Sequence, residues 1–283
     1  MALLRALAAT LVFVVALGVA NAVSLVAGER FGWPGLVRSL VQAVLCTVIT
    51  LVGITGLGQA SGVRPPWYGL RRAGAWRDVG SGFAVVAVAA GAVVAVAAVA
   101  GRVRVAEVDL GLLVLFLLST AVVATGLEAF PEELAFRGMA YSSLRSRAAG
   151  WVAVAGSTLL FVLAPGASTV VSAALVRLMG SPLPIGVSLA PGGANPVDYL
   201  VFLVLWSLCL TAARLVTGSI WTAVGAHLLM LVVNRLLIGA SDGLRVDLAG
   251  ADQLVILPAY VLLAALGFVL LRRRRTRRAG RRG

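Results

Sequence analysis

Two adjacent carboxylates, Glu132 and Glu133, sit with Arg137 at the end of a long apolar run, in Phe130-Pro131-Glu132-Glu133-Leu134-Ala135-Phe136-Arg137-Gly138. Charge in or near hydrocarbon carries a heavy penalty unless it is paired or hydrated, so such residues mark places where chemistry is done. Two carboxylates held close cannot both ionise cheaply. The pair can therefore hold or release a proton near neutral pH while an ionised partner fixes its geometry, which is the equipment for activating a water molecule. Glu133 and Arg137 are four apart with the acid on the N-terminal side, the better order for a helical ion pair. Glu128 lies four before Glu132 and shares its face. Pro131 suits the first turn of a helix, so a new helix is expected to begin there, with both glutamates favoured by its dipole. The plainer alternative is a juxtamembrane helix start with an ion pair on its surface.

The second centre is His227, the chain's single histidine, inside the apolar run from Ser219 to Ile238. It lies roughly 13 Å into its helix at about 1.5 Å per residue. A neutral imidazole there would be a satisfied core group, or would orient a water or stabilise charge developing on a carbonyl. Asn234, seven residues on, shares its helix face. One histidine cannot build an HExxH zinc site or any two-histidine metal site, and no GxSxG elbow is present. A divalent metal held by Glu132, Glu133 and His227 stays open, although no spacing requires one.

The elements that position these groups are membrane helices. The chain has 283 residues, is 60% hydrophobic and only 12% charged, with a mean hydropathy of +1.01. Soluble domains carry about 25% charged residues, so this is an integral membrane protein. The expected fold is an all-α polytopic membrane helix bundle of about eight transmembrane helices, over 6–27, 39–60, 79–101, 110–128, 148–170, 198–216, 218–238 and 253–271. Arg5 and Ala20-Asn21-Ala22 give the first a signal-peptide look, but its apolar run is too long for one and a retained span is expected. Pro165-Gly166 interrupts the fifth. Cys46 and Cys209 lie within apolar runs, where thiols pack rather than form a disulfide framework.

All basic residues are arginines. With both termini inside, the inner segments hold Arg5, Arg64, Arg71, Arg72, Arg77, Arg137, Arg145, Arg147, Arg214 and the arginine-rich tail. The outer arginines are balanced by as many acids, so the inner face carries the whole net charge of +13. That asymmetry matches the positive-inside rule, with both termini cytoplasmic in a plasma (inner) membrane. The tail reads as a stop-transfer cluster touching anionic membrane lipids rather than nucleic acid, since no recognition module accompanies it. Pro65-Pro66-Trp67-Tyr68 reads as an interfacial segment, and Gly180–Pro196 as an irregular loop. The expected organisation is N-terminal helices with the interfacial segment over 1–109, a core over 110–238, a last helix over 239–271 and a basic tail over 272–283.

Glu132-Glu133-Leu134-Ala135-Phe136-Arg137-Gly138 resembles the first motif of the CAAX prenyl endopeptidase family, also called the Abi or CPBP family of intramembrane proteases. Gly218-Ser219-Ile220-Trp221 with Gly225-Ala226-His227 resembles its third. The resemblance implies an intramembrane hydrolase in which Glu132 activates water, Glu133 with Arg137 sets its geometry, and His227 supports the oxyanion. The implied substrate is the C-terminal or membrane-proximal part of another protein, lipidated or not. Two positions depart from the family. The second motif, Phe-x-x-x-His, is Phe161-Val162-Leu163-Ala164-Pro165 here, and the Asn or Asp expected four residues after His227 is Leu231; Asn234 would substitute one turn later only by repacking. The competing readings are a catalytically impaired relative that binds a membrane partner or serves in immunity, and a small transporter, against which stands the lack of any internal repeat.

Overall fold

The computed structural model describes residues 1–190, 195–238 and 243–279. Residues 191–194 of the expected loop and 280–283 of the tail lie outside the described residues. Among the described residues, eight helices are long and apolar enough to cross a membrane. They are α1 (Ala2–Arg30), α2 (Gly35–Ala60), α3 (Ala75–Val99), α4 (Leu110–Arg145), α5 (Gly150–Leu178), α6 (Pro196–Thr217), α7 (Ile220–Leu237) and α8 (Gly250–Ala279). A short 3₁₀ turn covers Pro65–Tyr68, the expected interfacial segment. The all-α membrane fold is thus as expected, with one addition. Strands β1 (Arg104–Val108) and β2 (Leu244–Asp247) pair antiparallel, with a bulge between Val105 and Glu107.

Three boundaries differ from expectation. No helix begins at Pro131, because α4 runs on through it to Arg145. Proline lacks an N–H and its ring collides with the carbonyl four residues back. The helix accommodates this by widening into π turns over Thr125–Ala129 and again over Glu133–Ala140, on either side of Phe130–Glu132. Likewise α5 is continuous through Pro165; membrane helices tolerate such breaks where nearby groups re-satisfy the backbone. And α8 carries its helical turns past the last apolar residues into the arginine cluster.

The chain forms two compact units, residues 1–70 with 123–207, and residues 71–122 with 208–283. In the first, α1 packs along α2, α5 and the second π segment of α4. Phe13 of α1 meets Phe136 of α4 edge-on at 5.3 Å, and Phe136 meets Phe161 of α5 at 5.4 Å. In the second unit α3 packs on α7 with backbone against backbone. A β-carbon on Gly82 would lie 2.0 Å from the Thr222 carbonyl oxygen, and one on Gly225 would lie 2.1 Å from that of Val79. Small residues at a membrane-helix interface permit this approach, which gains van der Waals contact where lipid offers no hydrophobic drive.

Candidate active site

Pro131 sets the local geometry of the glutamate knot. Its missing N–H orphans carbonyls in the preceding turn, and α2 supplies the donors: Cys46 Sγ donates to the Leu127 carbonyl at 3.4 Å and Thr47 Oγ1 to that of Gly126 at 2.5 Å. Gly126 is what lets α2 come this near, since a β-carbon there would stand 3.2 Å from Ala43 Cβ. Cys46 is therefore more than the packing residue its apolar run indicates. The thiol is buried, and it also helps to hold the distorted turn that precedes the acids.

The widened turn carries Glu133 and Arg137 inward. Arg137 Nη1 lies 3.3 Å from Glu133 Oε1, with the two side chains 1% and 0% exposed. This excludes the surface ion pair weighed from the sequence. The guanidinium also lies over the face of Phe161, 4.2 Å from the ring centroid. A cation desolvated against an aromatic face gains electrostatically from the ring quadrupole. Phe161, the aromatic of the second motif, thus holds the arginine that holds Glu133. Glu132 is half-buried, and its charged neighbours are Glu128, Glu133 and Arg137. Tyr199 of α6 stands within electrostatic range of both Glu128 and Glu132. The sequence offered no signal for Tyr199, and for Thr47 only the coincidence of Gly126 and Pro131 on one apolar helix.

His227 lies in the second unit, 2% exposed on α7. The helix that carries it is firmly placed. Ser219 caps its start by accepting from the Trp221 backbone N–H at 3.3 Å, and the Trp221 indole N–H donates to the Arg71 carbonyl at 2.6 Å. Thr217 and Thr222 hydroxyls pair at 2.6 Å across the turn. Asn234 lies in the same unit and accepts from the Tyr260 hydroxyl at 2.5 Å, so it is committed to tying α7 to α8. The first unit therefore gathers Glu128, Glu132, Glu133, Arg137 and Phe161, while His227 and Asn234 belong to the other. Among the described residues, no group of three or more His, Cys, Asp or Glu side chains is gathered to hold a metal ion.

A family model described as type II CAAX prenyl endopeptidase, Rce1-like, matches residues 110–233. Over this segment the chain is similar to the CAAX prenyl endopeptidase family. No curated protein matches the chain, and no solved structure does. The matched stretch takes in the whole of α4, the buried ion pair, Phe161 and His227, and stops one residue short of Asn234. The Glu-Glu-x-x-x-Arg motif starts on the α turn that ends at Glu132 and runs into the π turns from Glu133. The departures at Pro165 and Leu231 both fall inside the matched segment.

Proposed function

We propose that the chain is a membrane-embedded endopeptidase of the CAAX type that cleaves near the C-terminus, or in the membrane-proximal part, of protein substrates. The observation that carries this reading is the division of labour between the two acids. Glu133 is buried against Arg137, whereas Glu132 keeps partial solvent access beside it. A carboxylate in that position can serve as general base. Glu132 takes a proton from water as the water oxygen attacks the scissile carbonyl carbon. The proton then passes to the amide nitrogen as the C–N bond breaks, leaving a new carboxylate and a free amine. The family resemblance implies an oxyanion-stabilising role for His227.

Glu132→Gln is expected to abolish cleavage of a membrane-peptide substrate, a loss of about 10²-fold or more, with yield and melting temperature intact. Cleavage that survives this change would remove the mechanism. His227→Ala should lower the rate by about 10²–10³-fold if it supplies an oxyanion donor.

A second reading is favoured by Pro165 and Leu231, which offer no side-chain donor where the family has polar groups. In it the chain is a catalytically impaired relative that binds a membrane partner or acts in immunity. Robust cleavage by the unaltered protein excludes it. A gain of cleavage on joint Pro165→His and Leu231→Asn replacement, from an inactive starting point, would support it.

A further inference from the structure

The first unit contains an open cavity of about 610 Å³, part polar and part apolar, that none of the α4 carboxylates lines. Asn21 and Ser24 of α1, Arg38, Ser39 and Gln42 of α2, and Ser172 of α5 face it. Ser24 and Ser172 are 5% and 3% exposed, so hydrogen-bonding side chains are kept here at a depth where apolar ones would pack. That volume exceeds what the few waters bridging these polar groups would need. The lining has one cation and no acid. The Arg38 stem lies across Gly28, where a β-carbon would stand 2.1 Å from Arg38 Cδ. Among the described residues, no ion pair includes Arg38. Glu29, the neighbouring acid in the chain, accepts from the Ser181 hydroxyl at 3.4 Å instead.

Helix length places the Arg38 end of the cavity at headgroup depth. α1 has 29 residues, about 43 Å at ~1.5 Å each, which matches the roughly 40–45 Å of a bilayer with its headgroups. The turn joining α1 to α2 bears the stacked pair Phe31 and Trp33 at 5.9 Å, the aromatic marking of a membrane interface. Arg38 follows within two turns. Along α2, Val37, Val44, Val48 and Val52 are exposed at helical spacing, an apolar stripe leading from the Arg38 end of the helix into the hydrocarbon. Gln42 donates to the Asn21 side-chain carbonyl and Ser24 to the Asn21 backbone carbonyl, which leaves Arg38, Ser39 and Ser172 to meet a ligand. We propose that this cavity binds the headgroup of an anionic phospholipid, with Arg38 on the phosphate, Ser39 and Ser172 on headgroup hydroxyls, and an acyl chain along the α2 valines. A choline head would bring an ammonium for which the lining has no acid.

The test uses the full chain, delipidated in detergent, with native mass spectrometry and melting temperature as readouts. Phosphatidylglycerol, phosphatidylcholine and inorganic phosphate are titrated separately. Phosphatidylglycerol should bind and raise the melting temperature more than phosphatidylcholine. Arg38→Gln should weaken it by about ten- to hundredfold, the worth of a charged hydrogen bond, whereas Arg273→Gln in the tail should retain the site. Unchanged phosphatidylglycerol affinity in Arg38→Gln overturns the proposal, as does equal retention of phosphatidylcholine. Inorganic phosphate binding as tightly as the lipid would reassign the cavity to a free anion. Photoactivatable phosphatidylglycerol on the wild-type chain gives an answer independent of any variant's folding: cross-links within residues 36–48 are expected, and cross-links confined to other segments refute the assignment.

Discussion

Arg137 illustrates how much one buried side chain governs. Removing one partner of a buried ion pair leaves an uncompensated charge, at about 3–5 kcal/mol, whereas replacing both by apolar groups of similar volume is often near neutral. Arg137→Ala should therefore lower stability by about 3–5 kcal/mol, and the double change Glu133→Leu with Arg137→Met should recover most of it. Thermal unfolding in detergent measures both, and a double variant as unstable as the single one would show that the pair holds the fold by more than mutual neutralisation. The recovered protein should still fail to cleave, because Glu132 has lost the group that orients it. The motif was legible in the sequence as types and spacing. Its burial was not, since a Glu-x-x-x-Arg pair reads the same on a wet helix surface as beneath Phe161.

At the scale of the element, α4 is a helix forced to widen by its own proline and repaired by its neighbour. Pro131→Ala restores the missing N–H and lets the turn revert toward ordinary α geometry. Stability should hold or rise, while Glu132 and Glu133 shift around the axis and cleavage falls. Unchanged cleavage would mean that the π turns do not matter to the site. Thr47→Val leaves the Gly126 carbonyl without its donor and should cost about 1–3 kcal/mol, with Thr47→Ser preserving the bond. The packing of α3 on α7 is as demanding. Gly225→Ala places a methyl 2.1 Å from a backbone oxygen, which no rotamer change relieves. Overpacking of this kind typically costs about 1–3 kcal/mol, and here the helices must part to admit it. By sequence alone Pro131 points to a helix start, because its one-sided chemistry suits a first turn. Only the presence of α2 donors made an internal proline tolerable.

For the whole molecule, the arginine asymmetry supplies the prediction. Cys46 and Cys209 are both buried, so a single introduced cysteine reports for itself. In oriented vesicles, Thr276→Cys should be labelled from the cytoplasmic side and Ser181→Cys from the opposite one. Labelling of both from one face would contradict the odd number of crossings between them. Mean hydropathy, uninterrupted apolar length and arginine placement are properties of local composition, because insertion into a bilayer responds to each segment largely by itself. The sequence alone therefore determined the eight helices, their class and the motif that carries the family resemblance. It could not say that α4 passes through Pro131, that the Glu133–Arg137 pair is dry, or that Asn234 is held by Tyr260. Those depend on which helix stands alongside to supply a missing donor, an aromatic face or a hydroxyl. That is a matter of side chains far apart in the chain meeting in space, and no local pattern encodes it.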